Sequence, residues 1–209
     1  MESAEVRRLL EETQALLSGH FELTSGLHSD RYFQCARVLQ WPARASLLGA
    51  GIGSKFADEA IDAVVGPAIG GIVIAHEVAR YLGTPAYYTE REAGKMKLRR
   101  GFALEPGARA LVVEDVVTTG GSAQEVVTLL KEQGVEVAGV SSIVWRSPAK
   151  DAASPFGELK YRPLFVLPTD AWQQADCPFC KAGKPVEKPG SRPLAAVNSA
   201  ANAAVKAGK

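Results

Sequence analysis

Apolar residues recur at helical spacing near the start of the chain. Val6, Leu9, Leu10, Thr13, Leu16 and Leu17 share one face, Glu and Arg lie between them, and Gly19 follows as a stop. That spacing predicts a helix over residues 2–18. The runs 20–24 and 31–35 read as two short strands around the turn Ser25-Gly26-Leu27-His28. Pro42 suits the first position of a helix, and an amphipathic stretch from Ala43 to about Ile61 follows it.

From Asp62 the pattern becomes strands alternating with helices. Strands are predicted at 63–66, 86–89, 108–113 and 135–145, with helices at 72–82 and 122–133. Residues 67–71 and 114–121 are the intervening loops, and 90–107 reads as a polar, glycine-containing loop. Strands separated by single helices imply an α/β fold with a central, mostly parallel sheet flanked by helices. The pattern weakens after Arg146. A loop at 147–157 is followed by an edge strand over 159–167, interrupted by Pro163, and a helical turn over 169–175. Beyond Lys181 the chain is rich in Pro, Lys and Gly, and 195–209 has no large apolar anchor, so a frayed tail is expected.

A chain of 209 residues can bury one substantial core but not two large ones. Lys and Arg total 24 against 23 Asp and Glu, a net charge of +1, so no global basic field exists to hold a polyanion. Nucleic-acid binding is therefore not expected, and any anion site must be local. The N-terminus mixes charges without an apolar core, which excludes a secretory signal. The most apolar region, 47–75, is broken by Lys55, Asp58, Glu59 and Asp62, which excludes a membrane span. Cys35, Cys177 and Cys180 make an odd count, so a disulfide framework is not expected and a reducing cytoplasm is.

The run Ala110-Leu-Val-Val-Glu-Asp-Val-Val-Thr-Thr-Gly-Gly-Ser122 carries the chemistry. It joins an apolar strand to two carboxylates, then to a Thr/Gly/Ser loop, then to a helix. A parallel sheet places that loop at the carboxyl ends of its strands, where open α/β folds bind ligands. Thr118 to Ser122 offer amides and hydroxyls at a helix N-terminus, a cradle for phosphate, while Gly120 and Gly121 allow close approach. No Gly-Lys-Ser/Thr follows, so it is not a Walker A loop. Glu114 and Asp115 would repel a bare phosphate unless they hold hydroxyls or a divalent cation. A ribose 5-phosphate meets both demands.

Residues 110–122 closely resemble the phosphoribosyl-diphosphate (PRPP) signature of the type I phosphoribosyltransferases. His20-Phe-Glu-Leu-Thr-Ser-Gly26 and Ser29-Asp-Arg-Tyr-Phe33 resemble the N-terminal hood of the orotate branch, and Gly66-Pro-Ala-Ile-Gly-Gly71 resembles its pyrophosphate loop. Val140-Ser-Ser-Ile-Val-Trp-Arg146 is similar to its strand ending in an orotate-contacting arginine. The segment opening Cys177-Pro-Phe-Cys180 resembles a bacterial subset of that branch. The resemblance implies transfer of phosphoribose from PRPP to orotate, with Mg²⁺ held mostly by PRPP oxygens and water. It implies one phosphoribosyltransferase domain over 1–188, with a hood from 1–41 and part of 158–188, a core at 42–157, and a disordered tail at 189–209.

By the same resemblance, Glu114 and Asp115 hold the ribose hydroxyls, and Val116, Val117, Thr118, Thr119, Gly120, Gly121 and Ser122 hold the 5-phosphate. Orotate meets Thr118, Arg146 and Phe33. A basic loop, 90–101, reaches the neighbouring subunit's site in a homodimer and neutralises pyrophosphate. Here the chain departs from the commoner pattern: Arg91 stands at a family lysine, Gly94 stands at the catalytic lysine, and no loop histidine follows. Lys95 or Lys97 then substitutes after a shift in register, and Arg91 joins the PRPP contacts. Thr24 stands where many relatives carry Lys, and Ile69-Gly70 replaces a common Tyr-Lys pair.

Cys177 and Cys180 have zinc-ligand spacing, but four ligands are needed, and only Cys35 and three distant histidines remain in the chain. Packing or turn roles are expected for them instead. Two further functions share the PRPP loop: transfer to another base, and a non-catalytic PRPP sensor. The release of pyrophosphate with different bases would separate them.

Overall fold

The computed structural model describes residues 1–23, 25–147, 149 and 151–189; the expected tail therefore lies outside the described residues, apart from residue 189. Contacts divide the chain into two compact units, Met1–Leu17 with Phe33–Asp170, and Ser18–Tyr32 with the chain from Ala171 onward. Helix α1 and residues 33–41, grouped with the hood on sequence, fall in the first unit.

The first unit is built on a six-stranded sheet. In chain order its elements are α1 (Ser3–Glu12), α2 (Ala36–Leu39), α3 (Pro42–Ser54), β3 (Ala63–Pro67), α4 (Gly70–Leu82), β4 (Ala86–Glu92), β5 (Lys95–Leu98), β6 (Arg109–Val117), α5 (Gly121–Glu132), β7 (Glu136–Trp145) and β8 (Phe165–Val166). The strand order is β5-β4-β3-β6-β7-β8; every neighbouring pair is parallel except β4–β5. Side-chain alternation along the central strands divides the interior into two layers. Val64, Leu111 and Val113 pack with α1, α3 and α4, whereas Val65, Ala110 and Val112 pack with Val126, Val127 and Leu130 of α5. The α/β class expected from the sequence is the one observed. β1 (Leu16–Glu22), β2 (His28–Phe33) and β9 (Ala171–Trp172) form a separate three-stranded sheet, and α6 (Pro178–Lys181) is a single short turn of helix.

Several expectations need correction, the loop at 114–121 among them, since β6 continues through both acids to Val117. Helix α1 stops at Glu12 because the Thr13 hydroxyl donates to the Leu9 carbonyl at 2.7 Å and Gln14 turns left-handed, after which 16–22 is strand. Leu16 and Leu17 fit the helical period by coincidence. Helix α3 ends at Ser54 rather than near Ile61. Residues 90–107 contain a hairpin: Ala93 and Gly94 both adopt positive φ, as a two-residue primed turn requires, and Lys95-Met-Lys-Leu98 pairs antiparallel with Thr89–Glu92. Its inward positions are Thr89 and Met96, both buried, with the Thr89 hydroxyl 3.6 Å from the Met96 sulfur. Finally, the edge strand over 159–167 shrinks to Phe165–Val166 plus a bridge from Tyr161 to Val140, and 169–175 holds the extended pair β9 where a helical turn was expected. Pro163 removes a ladder donor there, as its position in the strand suggested.

Leu111 lies at the centre of β6 with no exposed surface. Leu111→Ala should lower the stability of the first unit by about 2–5 kcal/mol, read as a shift of the urea midpoint at unchanged slope. A shift under ~1 kcal/mol would mean that the layer relaxes around the void.

Candidate active site

The pocket forms where β6 ends. Val116, Val117 and Thr118 to Ala123 line a cavity of about 270 Å³, with Glu114 and Glu125 on its wall. Gly120 is the residue before α5 and is left-handed, with φ +81°. A side chain there would also meet Phe156 Cζ at 3.1 Å and Pro155 Cβ at 3.2 Å, so the loop is seated against the 155–156 segment. The first amides of α5 thus face the cavity, the arrangement that binds anions.

The two acids differ in setting. Glu114 is buried, 8% exposed, and its carboxyl pKa is pushed up to about 9. Burial is the first cause, the neighbouring charge of Asp115 the second and a hydrogen bond between the two carboxyls the third. Asp115 is half-buried and its Oδ1 accepts from the Val116 amide at 2.8 Å. Its carboxylate lies against the start of α4: a Cβ on Gly70 would stand 2.6 Å from Asp115 Oδ1. Only glycine permits that approach. The Ala68–Ile69 peptide before it is cis. Beneath the acids the buried Cys35 thiol is pushed well above its ordinary range, by burial first and then by Asp115 and Glu114. Tyr161 is also raised by burial, although its hydroxyl pairs with Ser142 at 2.8 Å.

The structure places the other residues singled out on sequence in varied settings. Arg146 is half-buried, and its amide donates to the Val117 carbonyl at 2.8 Å, so it leaves β7 beside the strand end that opens into the loop. Phe33 packs in the apolar layer with α1 and α3 and takes no part in the cavity wall. Arg91 makes a two-pronged pair with Glu125, at 3.0 and 2.9 Å, and so reaches the cavity rim through a carboxylate. Lys97 pairs with Glu92 at 2.7 Å, Arg99 with Glu92 at 3.3 Å and Arg100 with Glu90 at 2.9 Å. Lys95 is exposed beside the hairpin turn and has no ion-pair partner among the described residues. Sequence reading missed Glu125, one turn into α5, and the closeness of Gly70 to Asp115. A Glu at helical spacing behind a phosphate loop is a weak signal, and a glycine's neighbour in space leaves none.

Comparison with known proteins agrees with this geometry. The phosphoribosyl transferase domain family model matches residues 35–160. An orotate phosphoribosyltransferase of Pelotomaculum thermopropionicum is 48% identical over 190 residues, covering 91% of this chain and 98% of its own. The chain belongs to the orotate phosphoribosyltransferase family. A second such relative, from Thermotoga petrophila, is also 48% identical, with 90% of this chain and 99% of its own covered. Among solved structures, the orotate phosphoribosyltransferase of Mycobacterium tuberculosis H37Rv in complex with PRPP is 26% identical, with a TM-score of 0.59 over 80% of this chain and 92% of its own. The acid pair and the Thr118–Ser122 loop thus stand at the mouth of a phosphoribosyltransferase core, and the fold expectation holds.

Glu114 has a measurable signature in protein free of PRPP and Mg²⁺. Its folded pKa lies above the unfolded value, so the stabilisation is complete below the ordinary carboxylate range and is lost as pH rises towards about 9. Across that window the native chain should lose up to ~1.4 kcal/mol per pH unit relative to Glu114→Gln. Parallel stability–pH curves for the two proteins would show Glu114 ionised in the fold.

Proposed function

We propose that the chain transfers the phosphoribosyl group of PRPP to orotate, giving orotidine 5′-monophosphate and diphosphate in pyrimidine biosynthesis. The observation that carries this is the cavity itself: an anion-binding loop at a helix N-terminus, walled by one of two adjacent carboxyls. The 5-phosphate sits on the amides and hydroxyls of Thr118 to Ser122, and Glu114 with Asp115 takes the ribose hydroxyls. Glu114 in its protonated state is a donor, and Asp115 is an acceptor, which suits a vicinal diol that both donates and accepts.

Departure of diphosphate leaves positive charge on the ribose ring and negative charge on the leaving group. The protein's work is positioning and electrostatics rather than covalent chemistry. Asp115, fixed by the Val116 amide and by contact with Gly70, places a carboxylate near the positive side. The oxygen-only donor set of the acid pair fits Mg²⁺, which prefers hard oxygen ligands and keeps much of its water. Bound mostly to PRPP oxygens, Mg²⁺ would supply charge neutralisation of diphosphate. Arg146 and Thr118 face the orotate anion, the planar guanidinium suiting a carboxylate or an imide edge.

The basic hairpin over 90–101 neutralises the leaving group, acting on the neighbouring site of a homodimer. Lys95 supports this best of the two lysines, since Lys97 is already committed to Glu92. The enzyme works in the cytoplasm, in keeping with three free cysteines. An assay of diphosphate release with orotate, uracil, adenine, hypoxanthine or no base decides the substrate; equal rates without orotate would defeat the reading.

Asp115→Asn should fold normally and lose about 100-fold or more in turnover. Full turnover by the folded variant would remove Asp115 from the site. Arg146→Ala should raise the KM for orotate by the loss of a charge-assisted contact of roughly 1.5–3 kcal/mol, while the KM for PRPP moves little. Equal shifts in both would make Arg146 structural. Lys95→Ala should lower kcat more than Lys97→Ala does, with PRPP affinity less affected, because the contact strengthens as the bond breaks. Mixing Lys95→Ala chains with Asp115→Asn chains should restore about a quarter of the native rate, since half of randomly paired dimers carry one intact site. No recovery after proven exchange would mean that the hairpin serves its own chain.

A further inference from the structure

The second unit has almost no apolar interior. Among its described residues only Phe21 and Cys177 are buried hydrophobic side chains, while His20, His28 and Ser29 are buried polar ones. Units this small are ordinarily held by a disulfide or a metal. Its cysteines are free. At its centre a set of ligand atoms converges: one atom each from His20, His28, Cys177 and Cys180, all within 4.8 Å of one another. The histidines expected to be distant from the Cys pair are therefore beside it, contrary to the reading from sequence.

We propose that these four side chains bind a structural zinc ion that holds the second unit together. Tetrahedral zinc with Zn–N of about 2.05 Å and Zn–S of about 2.3 Å has N···S edges of about 3.5 Å. The observed edges are 3.5 Å from Cys177 Sγ to His20 Nε2, 3.6 Å from Cys180 Sγ to His20 Nε2 and 3.3 Å from Cys180 Sγ to His28 Nδ1. The His20 Nε2 to His28 Nδ1 edge, at 2.8 Å, is shorter than the ~3.3 Å of a filled site, so the rings part by about half an ångström on binding.

The His20 tautomer is set for ligation, whereas His28, whose Nδ1 donates to His20 Nε2 at 2.8 Å without the ion, moves its proton to Nε2 on binding. His20 Nδ1 lies 3.0 Å from the Lys184 carbonyl, which can only accept, so Nδ1 carries the proton and Nε2 presents its lone pair to the cluster. Phe179 stacks on the His20 ring, with centroids 5.5 Å apart and planes 24° apart, and holds it in place. Binding releases two thiol protons, and the two thiolates balance the charge of the ion. Four protein ligands leave no open position, which makes the site structural rather than catalytic. Sulfur and imidazole donors also select against the hard Mg²⁺ that suits the acid pair. The ion would tie β1 and β2 to α6, segments about 150 residues apart in sequence, a long-loop cross-link of the kind that most constrains an unfolded chain.

The test is metal content of the intact chain, purified without chelator from zinc-supplemented medium and measured by elemental mass spectrometry. One zinc per chain that survives dialysis is expected, falling to background in Cys177→Ser/Cys180→Ser. Because that variant could unfold, cobalt is exchanged into the native chain in parallel. Tetrahedral cobalt bands with thiolate charge transfer are expected. Stripping zinc should raise amide exchange across residues 18–23, 25–32 and 171–189 while β3, β6 and β7 stay protected. Native chain without stoichiometric zinc, undiminished zinc in the double variant, octahedral cobalt, unchanged exchange on stripping, or a mass two hydrogens short from a Cys177–Cys180 disulfide would each overturn the proposal. None of these readouts depends on the transferase activity.

Discussion

Three adjacent parallel strands that end at one edge impose the geometry on which the rest depends. β3 runs beside β6, and β6 beside β7, with Val65 opposite Val112 and Val117 opposite Trp145. Because the strands share direction, the segments that leave their carboxyl ends emerge on the same side. β3 delivers the cis peptide and the start of α4, β6 delivers the acid pair and the Thr118–Ser122 loop, and β7 delivers Arg146. The register survives because the strands are apolar on both faces, and a slip of one residue would exchange the two packed layers. The chemistry is thus specified by hydrocarbon packing some distance below it.

The acid pair shows how such an edge can change a side chain. Asp115 is held by an amide and stays in a polar setting, whereas Glu114, one residue earlier, turns into the wall and is driven towards its neutral form. The pleat supplies the burial that raises Glu114, and the neighbouring charge of Asp115 adds to it.

Much of this was legible in the sequence because its signals are local. The apolar run Ala110–Val113, the acids and the Thr/Gly/Ser loop are contiguous, so strand, site and helix could be placed together. Local patterns misled where two periods overlapped, as at Leu16 and Leu17, and where charge concealed alternation, as in Lys95-Met-Lys-Leu98. Phe33 is placed in the apolar layer, outside the wall of the cavity. The features that escaped altogether were spatial: Gly70 against Asp115, Arg91 on Glu125, and His20 with His28 on the Cys177–Cys180 turn. Spacing counts ligands along a chain, and it cannot see two that fold back from the other end.

The seats of Gly70 and Gly120 bear on how this enzyme can change over evolutionary time. A side chain at Gly70 would meet the Asp115 carboxylate, and one at Gly120 would meet the Pro155–Phe156 wall. A side chain at either place therefore has to displace a neighbour, and at Gly120 the left-handed backbone opposes it as well. Ile69, by contrast, is 84% exposed, and Lys95 stands free of ion pairs among the described residues. Substitution is therefore least obstructed at the tips of the β3–α4 and β4–β5 connections. Of the departures from the commoner family pattern, Ile69 and Gly94 fall on those two tips.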